Sequence, residues 1–160
     1  MDEIKSWLAG RLPVDWYEAE PEVVADREEI TIVGTLPRPE DGGAMAESGR
    51  IARWREETRP ARIRIAEEAE ARFGRKVAWG ASCGESREMF TSLAAPVMTR
   101  LRQPERRVLD TLVDAGVARS RAHALTWCVR LVGEHTEEWL TALRGALGDV
   151  ERLREDGPAT

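Results

Sequence analysis

Four side chains have the chemistry to hold a soft metal or to act as a nucleophile: Cys83, His123, Cys128 and His135. A zinc finger needs paired ligands at short, fixed spacing, and no pair among these four has it. Cys83 precedes Gly84 in the turn-forming segment CGES and has no basic activator beside it in sequence, so it reads as a plain turn cysteine. His123 and Cys128 fall on a predicted helix, as a surface histidine and a buried thiol. Catalysis would require a pocket where Cys83, Glu85 or His135 converge. No phosphate-cradling glycine loop, serine elbow or paired-carboxylate motif occurs. The reading assigns no catalytic residue, no metal and no cofactor, and a non-enzymatic protein is expected.

Arginine carries the rest of the chemistry. Of 24 basic residues only Lys5 and Lys76 are lysines, a bias that with abundant Ala and Gly fits a GC-rich bacterial genome. Arg55, Arg59 and Arg62 recur at three- and four-residue steps on one helical face. They could contact phosphate; the plainer reading is a solvated face balanced by Glu47, Glu56 and Glu67. The six tryptophans sit at helical or strand spacing and read as core anchors.

The net charge of −5 is unevenly distributed. Residues 1–95 carry 14 basic and 19 acidic side chains, and residues 136–160 carry 3 and 6. Residues 96–135 carry 7 basic and 4 acidic, the one positive balance among these blocks.

The elements that position these groups follow from periodicity. Asp2 is expected to cap a helix with Ile4, Trp7, Leu8 and Leu12 on its apolar face, closed by Pro13. The rest of 13–28 reads as an irregular connection. Glu29 to Leu36, EITIVGTL, is β-branched and predicts a strand. Residues 44–73 predict one kinked helix or two helices divided near Thr58 and Pro60, and Gly74 ends them. Residues 75–94 predict a β-hairpin. A further strand is expected over 97–101, with Val97, Thr99 and Leu101 on one face and Met98 and Arg100 on the other. A helix then carries Val108, Leu109, Leu112 and Val113 and ends at Gly116; Ser120 caps the next. Thr136 is expected to cap a last helix, whose stripe is Leu140, Leu143, Leu147 and Val150.

The fold class is therefore α+β. Residues 1–28 form an N-terminal helix and connection, 29–95 a small β-α-β-β region, 96–135 a strand-helix-helix unit, and 136–155 an added amphipathic helix. One copy of the strand-helix-helix cannot close, because its strand has two unpaired edges and two short helices bury little area.

The order strand, helix, LVDAG, ARSR, apolar helix across 96–132 resembles the ribbon-helix-helix family of DNA-binding dimers (the Arc and MetJ type). The resemblance covers about a quarter of the chain. It departs from the family pattern in Thr99, where a larger apolar residue is usual, in Pro96, which shortens the ribbon, and in the helical tail. It implies a homodimer whose paired ribbon enters the major groove of double-stranded DNA. Met98, Arg100 and Arg102 would then touch bases, and Arg119, Ser120 and Arg121 would hold phosphate. The whole chain also resembles uncharacterised actinobacterial proteins.

The function expected is transcriptional regulation; the alternative is a non-catalytic scaffold that uses the same unit only as a dimer joint. Residues 1–95 would serve an effector or protein partner. The start, MDEIKSWLAGRL, has acids where a signal peptide needs a basic patch, and no long apolar run occurs, so a cytoplasmic protein without membrane contact is expected.

Overall fold

A computed structural model describes residues 1–40 and 43–156. The chain is α+β and divides into two compact units, Met1–Val97 and Met98–Thr160.

The first unit is a four-stranded sheet with helices packed on one face. Its strands are β1 (Glu22–Ala25), β2 (Glu29–Thr35), β3 (Lys76–Cys83) and β4 (Ser86–Met89), in that spatial order. β2 and β3 run parallel, whereas β1 and β4 are antiparallel edges. A parallel pair needs a long crossover. Here α2 (Ala44–Glu57) and α3 (Arg59–Phe73) supply it. The register aligns Ile30 with Val77, Ile32 with Trp79 and Gly34 with Ala81. Alternation sends these side chains to one face. There they meet Ile51 and Trp54 of α2, Ile65 of α3, and Ile4 and Leu8 of α1 (Asp2–Arg11). Trp16 stands edge-on to Trp54 and Trp79, with centroids 5.5 and 6.1 Å away. Trp16, Trp54 and Trp79 are thus core, as expected of all six tryptophans, whereas Trp127 and Trp139 of the second unit are exposed.

Of the two readings of 44–73, the structure takes two helices, because Thr58 closes α2 and Pro60 fits in the first turn of α3. Two local expectations need correction in this unit. β1 lies inside the stretch read as irregular. It is a four-residue edge strand whose turn into β2 is fixed by Asp26 Oδ1, which accepts from the N–H groups of Glu28 and Glu29 at 2.8 Å each. Asp2 is the first helical residue of α1, and Met1 occupies the cap position. Its charge still favours the positive helix end.

The second unit consists of α4 (Gln103–Asp114), α5 (Arg121–His135) and α6 (Glu137–Asp156). Gly116, at φ 74°, turns the chain after α4, and the N–H groups of Val117 and Ala118 both return to the Leu112 carbonyl at 3.0 Å. That left-handed backbone favours glycine, as the predicted stop implied. Ser120 Oγ accepts the His123 N–H at 3.2 Å and caps α5. Leu109, Ala118 and Ala124 form a small core with Leu101, Leu112, Val113, Leu125 and Cys128 against it. Thr136 sits between α5 and α6 as the C-cap of α5, and its hydroxyl donates back to the Val132 carbonyl at 2.6 Å; among the described residues no α6 N–H donates to it.

Residues 97–101 form no strand in the single chain. The sheet of the first unit is complete without them, and a lone strand has no partner for its backbone groups. No helix among the described residues is long and apolar enough to cross a membrane.

Candidate functional site

The six residues singled out for nucleic-acid contact all lie in the second unit. Met98 is 97% exposed, and Arg100 and Arg102 are also exposed. Leu101 turns inward onto the small core. Val97 and Thr99, expected to face the same way as Leu101, are instead exposed in the single chain. Arg102 takes the extended backbone of a cap before α4, at φ −81° and ψ 175°. Arg106 Nη1 donates to the Leu101 carbonyl at 2.7 Å and holds the segment's end.

The second group is built around the start of α5. Ser120 spends its hydroxyl lone pair on the His123 N–H, and His123 Nδ1 accepts the Arg119 N–H at 3.2 Å. The two bonds lock the turn reciprocally, in the manner of a capping box. They leave the Arg119 guanidinium exposed. The Arg121 guanidinium grips Asp110 of α4 by two bonds of 2.6 and 2.8 Å. That hydrogen bond and charge lower the Asp110 carboxyl and raise the Arg121 guanidinium from their ordinary values. Asp110 was not legible as a site residue, because eleven positions and a turn separate it from Arg121.

The small core carries one member from beside each group: Leu101 next to Arg100 and Arg102, and Ala118 next to Arg119. The fold thus seats both groups around one cluster. The unit leaves much apolar surface uncovered: Met98, Val108, Val129, Trp139, Leu147 and Leu153 are all exposed. A core of three buried side chains is far too small for a free-standing domain.

The nucleophile and metal candidates are not assembled. Cys83 ends β3 fully buried, its Sγ 3.7 Å from the Pro37 carbonyl, rather than lying in the turn. Burial, then the nearby Glu47 charge, push its thiol above its ordinary value, away from the reactive thiolate. Among the described residues no three His, Cys, Asp or Glu side chains form a group that could hold a metal ion.

In the first unit, a cavity of about 410 Å³ opens between α1, the following connection and β1. Leu8, Leu12, Tyr17 and Val23 line it, with Lys5 and Glu20 among its polar groups. Its walls come from one continuous stretch, residues 5–23, whose middle part was read only as an irregular connection.

Two family matches divide the chain. Residues 2–89 match the family described as Rv1265-like protein, N-terminal domain, and residues 102–154 match the Mb1296 C-terminal domain. Neither is described as ribbon-helix-helix. The uncharacterized proteins Mb1296 of Mycobacterium bovis and Rv1265 of Mycobacterium tuberculosis are each 61% identical to the chain over 155 residues, covering 95% of it and 69% of each relative. These organisms are actinobacteria, as the whole-chain resemblance implied. No solved structure matches the chain.

Proposed function

The chain belongs to the Rv1265-like family, and from that premise we propose that it is a homodimeric DNA-binding protein that regulates transcription. Two copies of residues 96–135 pair their 97–101 segments into a ribbon that enters the major groove. The single observation that carries this reading is the state of that segment. Leu101 is seated on its own core, while Val97 and Met98 are 86% and 97% exposed and the segment belongs to no sheet. A second copy supplies the missing backbone partner and covers the uncovered apolar residues.

In the dimer, Met98 and Arg100 lie on the outward face, with Arg102 at the ribbon end. A guanidinium there can read guanine O6 and N7 by two hydrogen bonds. Arg119, Ser120 and Arg121 lie at the start of α5, where a helix terminus and two cations favour a phosphate. No catalysis is required. The α1–β1 cavity offers residues 1–95 a place for an effector.

A second reading, a scaffold that only self-associates, is favoured by the Arg121–Asp110 pair, which occupies one proposed phosphate ligand. Titration into mixed genomic fragments separates the two. The wild-type protein is expected to bind with an affinity that falls steeply with salt, and Arg100→Ala to lose its preferred fragments. Equal, salt-insensitive binding by both proteins, or none by either, removes the DNA reading.

A further inference from the structure

Arg62 is a buried cation without a counter-ion. It exposes 7% of its surface at the start of α3. Its Nε donates to Thr58 Oγ1 at 3.0 Å and its Nη2 to the Arg55 carbonyl at 2.6 Å. Its guanidinium carbon lies 5.1 Å from the Phe90 ring centre and 5.4 Å from that of Trp54. Arg55 approaches the same Phe90 ring at 5.2 Å. Among the described residues no carboxylate lies within ion-pair distance of Arg55, Arg59 or Arg62; Arg53, on the same helix as Arg55, does have one in Glu57.

The surroundings make the cations costly. Arg59 and Arg62 stand in the first turn of α3, which holds no acid and has no side-chain cap. The positive end of a helix repels cations. Burial lowers the Arg62 guanidinium from its ordinary value, and of the charges acting on it those of Arg55 and Arg59 lower it further while only Tyr17 opposes. A purely structural clamp would be better served by a neutral donor. Two guanidinium groups gathered on the Phe90 ring, a third cation one turn away at Arg59, and a helix start without an acid together describe a receptor for an oxyanion.

We propose that the corner between α2 and α3, with Arg55, Arg59 and Arg62, binds phosphate oxyanions. Arg55 and Arg59, both exposed, donate to the phosphate oxygens, while the buried Arg62 adds its charge from beneath, and the bound anion cancels their mutual repulsion. Phe90 holds the Arg55 and Arg62 planes in place. The same chemistry arises on a nucleic-acid backbone and on a small phosphate compound. The site's residues belong to the first unit, whereas Arg100 and Ser120 belong to the second.

The test titrates the full chain with inorganic pyrophosphate by calorimetry and thermal shift, against sodium chloride of matched ionic strength, and with a short DNA duplex. Saturable pyrophosphate binding that raises the melting temperature is expected. Arg55→Gln and Arg59→Gln should each weaken it by about tenfold or more, since each removes charge-assisted hydrogen bonds. Without ligand, both variants should melt no lower than wild type, because repulsion is relieved. If Arg55→Gln also weakens the duplex, the source is a nucleic-acid backbone; if duplex affinity is unchanged, it is a small phosphate compound. Arg100→Ala should leave pyrophosphate binding intact even if it abolishes duplex binding. Absence of saturable pyrophosphate binding, or equal binding by both arginine variants and wild type, overturns the site.

Discussion

Asp110 of α4 and Arg121 of α5 meet in a two-pronged ion pair across the helical hairpin, with N–O distances of 2.6 and 2.8 Å. Arg121 is one of the cations that the DNA reading assigns to phosphate. Its carboxylate partner therefore competes with the backbone of any duplex. The pair is exposed on both sides, so it can open at little cost. On the DNA reading, Asp110 would act as a brake on non-specific attraction.

Removing that brake should strengthen DNA binding. Asp110→Ala is expected to raise affinity at low salt and to steepen the log–log salt dependence by about 0.9 for each arginine released. Stability should change by less than ~1 kcal/mol. Fluorescence anisotropy across a salt series measures the slope, with Asp110→Ala/Arg121→Ala as the control that loses the gain. An unchanged slope would show that Arg121 never reaches phosphate.

The start of α5 and the small core set the stability of the second unit. Ser120→Ala deletes the cap on the His123 N–H and should cost about 1 kcal/mol. Leu109→Ala empties part of a core with three buried members among the described residues and should cost ~2–5 kcal/mol. Because that core is small, Leu109→Ala should also abolish self-association. Urea denaturation followed by sedimentation of the same samples checks both; a stable, fully dimeric Leu109→Ala protein contradicts the prediction.

Acid should loosen the first unit through Glu47. This buried carboxylate of α2 holds the β3–β4 turn: Oε2 accepts from Ser86 Oγ at 2.9 Å and from the N–H groups of Glu85 and Ser86 at 3.2 Å each. Arg38 approaches Oε1 at 2.7 Å. The Ser86 hydrogen bond, then the Arg38 charge, outweigh burial and hold the carboxyl below its ordinary range. A group depressed in the folded state stabilises above its unfolded pKa, and that stability disappears as pH falls through the folded value. Melting temperature should therefore fall from neutral pH into the acid range, and Glu47→Gln should start lower and show a flatter profile. Parallel profiles for the two proteins would exclude this carboxylate as a source of acid sensitivity.

What was legible in sequence follows from range of interaction. β2 and β3 showed themselves because a central strand's own residues, such as Ile30, Ile32 and Trp79, decide its burial. The helix break near Thr58 was one of two readings, because Pro60 marks the place without deciding between kink and stop. β1 was missed because an edge strand of four residues is only half buried, and its pairing with β2 is a property of both. The cap at Ser120 was visible, being local. The Asp110–Arg121 pair and the carboxylate-free surroundings of Arg62 were not, since both depend on which segments the fold brings together.

Gly34 and Tyr17 provide a sharp test of the packing in the first unit. A Cβ at position 34 would lie 1.9 Å from Tyr17 Cε1 and 2.0 Å from Cδ1, so the tyrosine ring lies directly on the β2 backbone. Gly34→Ala must displace the ring or the strand and should destabilise by ~1–3 kcal/mol. In a Tyr17→Ala background the same substitution meets no ring, so its cost should shrink, giving a coupling of about 0.5–3 kcal/mol in the double-mutant cycle. The Tyr17 hydroxyl is itself buried without a hydrogen-bond partner among the described residues, and burial raises its pKa from the ordinary value. Tyr17→Phe removes an unpaired polar atom and keeps the ring, so it should leave stability unchanged or raise it by ~1 kcal/mol. Urea denaturation of the four cycle proteins and of Tyr17→Phe measures these terms. Additive costs would mean that the ring does not rest on Gly34, and a destabilised Tyr17→Phe would mean that the hydroxyl has a partner after all.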